Sequence, residues 1–172
     1  DDRKACRQKN KRREELYEDY LVTKRKELNH AREKEIEAWS YNYPQIDEME
    51  RLIREYSPRI YERNIHDEDF MTVAVGYWDA EVNFKIDYEN NAMKYETDEL
   101  EEEGEHLKEI FGKIPQKPMI VDLKKAHLGI VGDRENVHEQ LQILLTQLVF
   151  AQSYHDLQII TIYDKEYEEE FS

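Results

Sequence analysis

Apolar positions along this chain change their period several times, and each change predicts an element. From about Lys9 to Tyr41 there is no glycine or proline, and Glu, Lys, Arg and Leu dominate. Leu16, Tyr20, Leu28, Ala31 and Trp39 recur at three- to four-residue spacing, with Ile36 beside the line. That spacing predicts one long, exposed helix with a narrow apolar seam, too polar to be stable unless something covers the seam. Pro44 opens a second helix where a missing N–H costs nothing. Ile46, Met49, Leu52, Ile53 and Tyr56 form its apolar face, and Ser57-Pro58 ends it. The short link Tyr41-Asn-Tyr folds the two back as a helical hairpin, with Trp39, Tyr41 and Tyr43 as its packed corner.

Beyond Pro58 the period becomes two. Phe70–Gly76 and Val82–Ile86 alternate as strands, and Tyr77–Glu81 reads as the link of a hairpin. Asp98 followed by Glu101 matches a capping box for a helix to about Phe111, with Leu100, Leu107 and Ile110 inward. Residues 87–96 carry no period and read as loop. Gly112–Pro118 is also read as loop, because neither proline belongs in a central ladder. Met119–Leu123 and Leu128–Val131 are strands. A helix from about Arg134 to Gln152 carries Val137, Leu141, Leu144, Leu145, Leu148 and Ala151 on one face. Leu157–Ile162 is a further strand, so strand, glycine turn, helix and strand make a βαβ unit with a parallel pair. The expected class is therefore α/β. A helical stalk or hairpin over 1–57 precedes a domain over 58–172 with a mixed, partly parallel sheet.

Composition narrows what this frame can do. Of the 172 residues, 39% are hydrophobic and 38% charged, so the core is modest. The net charge is −15. Residues 1–13 hold seven Lys/Arg against two Asp, a local charge of +5 that leaves −20 for the rest. An acidic body disfavours nucleic acid, whose binding depends on neutralised phosphates. The basic start has three readings: a solvated helix end, a contact with an anionic membrane or flank of a transmembrane helix, or a nucleic-acid arm. No run of about 18 apolar residues spans a bilayer here. Cys6 is alone and cannot pair within the chain. The acidic stretch Asp164–Ser172 follows a strand with no closing element, as in a piece of a longer polypeptide.

The βαβ unit is where a P-loop nucleotide hydrolase cradles phosphate. A Walker A loop reads G-x-x-x-x-G-K-[ST], and its amides, lysine and hydroxyl hold phosphate and magnesium. Counted from Gly132, the second glycine falls on Val137, the lysine on His138 and the hydroxyl on Glu139. Asp133, Glu135 and Glu139 outnumber Arg134, and carboxylates repel a triphosphate. The frame of a phosphate site is present, degenerate at Gly132, Val137, His138 and Glu139. No catalytic or metal residues are assigned. His66-Asp-Glu-Asp69 puts an imidazole beside three carboxylates, but reads better as a polar loop with a strand-entry cap than as a metal site. Asp164 sits where a Walker B carboxylate would, without a Walker A to serve.

Ile60-Tyr-Glu-Arg-Asn-Ile-His-Asp-Glu-Asp-Phe-Met-Thr-Val-Ala-Val-Gly76 resembles a stretch of the EssC/EccC family. These are membrane-anchored FtsK/SpoIIIE-type ATPases of type VII secretion. Pro118–Asp133, and Leu148–Ile162 behind it, are similar to the next landmarks of the EssC-like Gram-positive branch. Ala74 and Trp78 depart from the family pattern, which often has Arg and Gly there. The resemblance implies a juxtamembrane stalk and a rudimentary ATPase-like domain on the cytoplasmic face of the cell membrane. ATP and magnesium would belong to motor domains further along the full protein, and no cofactor to this part. Implied partners are other type VII membrane subunits, a ubiquitin-like cytosolic component, the downstream motors and, indirectly, exported Trp-X-Gly substrates. The full protein would be hexameric, and this part monomeric or weakly self-associating. The expected role is non-catalytic coupling, the alternative a nonstandard nucleotide-binding regulatory domain using Arg134 and His138.

Overall fold

The computed structural model describes residues 2–87 and 99–164. The expected cap at Asp98 and the inward place of Leu100 fall outside its described side chains. So do the loop at 88–96 and the tail from 165. Helix α1 runs Asp2–Asn42, seven residues earlier than the apolar spacing suggests. Nothing in that stretch breaks a helix, and surface pairs such as Lys11–Glu15 at 3.9 Å and Lys24–Glu27 at 2.6 Å add i,i+4 and i,i+3 support. Helix α2 (Ile46–Arg54) starts after Gln45, so Pro44 lies just outside it rather than in its first turn. Two strands follow, β1 (Thr72–Glu81) and β2 (Lys113–Asp122), separated by α3 (Glu99–Phe111). Helix α4 (Arg134–Ala151) comes last.

The strands correct the sequence reading most. Instead of a hairpin turning at Tyr77–Glu81, β1 runs straight through that stretch, and Val82–Ile86 lies outside the ladder. β1 pairs with β2 as a two-stranded antiparallel sheet. Val82 N–H donates to the Gly112 carbonyl near one end and Leu123 N–H to the Met71 carbonyl near the other. β2 therefore contains Pro115 and Pro118, which were expected to exclude a strand. In a ribbon of two strands each has an open edge, and a proline nitrogen turned to that edge removes no ladder bond. Gln116 between them adopts a left-handed φ of 53°, its N–H donating to Asp79 Oδ1 at 3.3 Å.

Leu128–Val131 and Leu157–Ile162 form no ladder, so the expected parallel pair is not seen among the described residues. The parallel contact that does form is an isolated bridge between Arg63 and Gln152. A physical reason lies on α4. The Gln147 amide accepts from Ala74 N–H at 2.8 Å and donates to Ala74 C=O at 2.9 Å, both buried. The side chain thus takes the place a neighbouring strand would fill. Gln140 Nε2 reaches Val75 C=O at 3.4 Å in the same way.

Two compact units result, and each strand passes from one to the other. The first comprises residues 1–43 and 76–119. There α1 packs on α3, and Leu21, Leu107 and Phe111 are buried with Tyr17, Leu28 and Ile86 against them. Ile110, expected inward, is 42% exposed, and Phe111 takes its place. The second comprises residues 44–75 and 120–172. There α2 packs on α4. Met49, Leu52, Phe150 and Ala151 form one cluster. Val73, Leu144 and Leu148 form another, with Met71, Val75, Val121, Leu123, Ile130 and Leu157 against it. Ile53 and Tyr56, read as part of the α2 apolar face, are exposed.

Candidate functional site

The loop that would cradle phosphate follows β2 directly. Asp122 closes a turn there: its carboxylate accepts from Lys124 N–H at 2.9 Å and pairs with Lys125 Nζ at 2.8 Å. The Lys125 hydrogen bond chiefly holds the Asp122 carboxyl below its ordinary value. Ile130 then packs on the Val73–Leu144–Leu148 cluster while Val131 is 99% exposed. Asp133 occupies the N-cap position of α4 with extended backbone, but its carboxylate makes no cap bond. The Asp133 carbonyl accepts Val137 N–H at 2.9 Å and starts the helix.

Gly132 has no positive φ, and a Cβ there would meet Val137 Cγ2 at an ordinary 3.8 Å. Neither conformation nor space requires a glycine at this turn. Gly132, Val137, His138 and Glu139 are brought together around the first turn and a half of α4. Gly132 and Glu139 are exposed, Val137 and His138 half-buried. Asp133, Arg134, Glu135 and Asn136 are exposed as well. The positive end of the helix dipole thus faces solvent among three carboxylates, which lowers its attraction for anions.

Two carboxylates of the His66–Asp69 cluster hold the neighbouring chain. Asp67 accepts Asn64 N–H at 2.6 Å, and Asp69 pairs with Arg63 Nε at 2.9 Å. Arg63, its side chain 10% exposed, also donates to the Thr72 carbonyl at 2.9 Å and Oγ1 at 3.2 Å. Arg63, Asp67 and Asp69 therefore organise the entry into β1, with Phe70 buried beside them. Among the described residues no three His, Cys, Asp or Glu side chains gather as metal ligands. Cys6 is exposed.

Sequence reasoning missed a polar cluster in the first unit. Glu35 on α1 accepts Asn83 N–H through both oxygens, at 3.1 and 2.9 Å, and Trp39 Nε1–H at 3.2 Å. Lys117 Nζ donates to Glu35 at 3.3 Å, to the Glu81 carbonyl at 2.9 Å and to Asn83 Oδ1 at 2.9 Å. It also lies 5.2 Å from the centre of the Trp39 ring, within cation–π reach. The Lys117 and Glu35 side chains are only 12% and 11% exposed. Their positions lie 82 residues apart, so no local spacing announces the cluster.

No helix among the described residues is long and apolar enough to cross a membrane. No family model matches the chain. Whole-sequence relatives do. It is 34% identical over 151 residues to the type VII secretion system protein EssC of Staphylococcus aureus strain MSSA476, covering 88% of the chain and 10% of that relative. The EssC of strain NCTC 8325 is 33% identical over the same length. The ESX secretion system protein YukB of Bacillus subtilis strain 168 is 29% identical over 166 residues, 96% of the chain and 11% of YukB. The chain spans about a tenth of the length of these relatives. At this identity and coverage, this chain belongs to the EssC-like family of type VII secretion proteins.

Proposed function

We propose that the chain is a non-catalytic coupling and assembly module of a type VII secretion ATPase, linking a transmembrane segment to FtsK-type motor domains. In this reading residues 1–57 are the stalk and 58–172 an ATPase-like body without nucleotide chemistry. The observation that carries it is the exposed first turn of α4, where Asp133, Glu135 and Glu139 stand among the positions a Walker A loop would use. A helix N-terminus so surrounded by carboxylate has little to offer a triphosphate. Leu128–Val131 and Leu157–Ile162, rich in β-branched residues and outside any ladder, belong to this reading as strands of a partly parallel sheet completed in the full protein. Other type VII membrane subunits, a ubiquitin-like cytosolic component and the motor domains are its partners. The full protein is a hexamer at the cytoplasmic face of the membrane, exporting Trp-X-Gly substrates.

Isothermal titration of the chain with Mg-ATP tests the reading, and no heat of binding is expected. Micromolar binding with turnover would overturn it. Binding without turnover, abolished by replacing Arg134 and His138 with Ala, would favour a regulatory nucleotide site instead.

A further inference from the structure

We propose that Glu35, Trp39, Asn83 and Lys117 form a register latch, which selects one axial position of α1 against the β1–β2 ribbon. The need for a latch follows from the helix itself. α1 is 41 residues long and polar almost all round, and its buried contact with α3 centres on Leu21, flanked by Tyr17 and Leu28. Apolar contacts are non-directional, and these residues are spaced four and seven apart. Slipping the helix by one turn puts Tyr17 in the place of Leu21 but Lys24 in that of Leu28, and slipping it the other way puts Arg25 in the place of Leu21. The stems of such side chains can lie on apolar surface while their charges reach water, so the seam opposes a slip only in part.

The polar cluster discriminates sharply. Moving α1 by three or four residues either way brings Ala31, Arg32, Ala38 or Trp39 to the place of Glu35. None of these accepts a proton from Lys117 or Asn83, and Arg32 would set a second cation against the ammonium. Lys117 Nζ has three oxygen partners and an aromatic face in the observed register, and would lose the carboxylate in any other. With both charges almost removed from water, that loss is not made good by solvent. A desolvated, hydrogen-bonded ion pair of this kind acts on specificity more than on net stability. The latch operates whether or not the chain binds nucleotide.

Pulsed-dipolar distance measurement reads the register directly. In a Cys6→Ser background, spin labels at Glu37→Cys on α1 and Glu109→Cys on α3 give one narrow distance distribution. The double replacement Glu35→Leu with Lys117→Met fills the site with apolar side chains and is expected to stay folded, with its urea midpoint unchanged or raised. Its distribution is expected to gain a second population about one helical turn away, roughly 5 Å. Asn83→Ala, which removes one acceptor of Lys117, should give a smaller second population. A single narrow distribution in both folded variants would overturn the latch. Should the double variant not fold, a narrow distribution in Asn83→Ala would do the same.

Discussion

Tyr56 is 90% exposed and holds a left-handed φ of 53° just beyond α2. Ser57 N–H donates to Leu52 C=O and Tyr56 N–H to Ile53 C=O, the bonding of a helix end that normally employs glycine. Since the phenol packs on almost nothing, Tyr56→Gly should stabilise the chain, by up to about 1 kcal/mol. A raised urea midpoint would show it. Tyr77 is 43% exposed, and the partial burial of its phenol pushes it above the ordinary value of 10.0. The folded state therefore holds this proton more tightly than the unfolded state, so the contribution is complete below pH 10 and fades as pH rises through the folded value. Tyr77→Phe should lose less of its melting temperature than the parent between pH 9 and 11. An identical alkaline decline in both would refute that assignment.

The helices were legible in the sequence, because an uninterrupted apolar period and the absence of glycine and proline are local properties. α1, α3 and α4 sit where the period places them, within a few residues at the described ends apart from the early start of α1. The strands were less legible because a strand needs a partner, and pairing is not written locally. Tyr77–Glu81 continues β1 only because β2 lies beside it, and Pro115 and Pro118 are tolerated only because the ribbon has two strands. Counting from Gly132 located the segment 132–139, which forms the turn and first residues of α4. The cluster around Glu35 could not be located in this way, as its members come from three distant segments. Gln147, which no sequence pattern singles out, satisfies both peptide groups of Ala74. Gln147→Leu should leave a buried N–H and C=O unpaired and cost on the order of 2–3 kcal/mol in urea unfolding. Gln147→Glu, which keeps the acceptor and loses the donor, should fall between Leu and the parent. If Leu proves neutral, the amide is not what closes the edge of β1.

The net charge of −15 sets two properties of the chain in solution. Self-repulsion opposes compaction, so melting temperature should rise as salt increases from about 20 to about 200 mM, where the screening length shortens to below 10 Å. The same repulsion should keep the chain monomeric in light scattering at micromolar concentration, despite the exposed Val131, Ile160 and Ile162. A melting temperature independent of salt would mean that the acidic groups are already neutralised by the ion pairs they make. The course of the strands has a consequence for synthesis. Residues 76–119 of the first unit are inserted between the two portions of the second, with the junctions inside β1 and β2. On the ribosome, therefore, the unit begun first is also completed first, at about Met119. Residues 44–75 must then wait unpartnered until α4 has emerged. A nascent chain arrested once Met119 has cleared the ribosome, with α4 still inside it, should protect α1 and α3 from protease while leaving α2 open to cleavage.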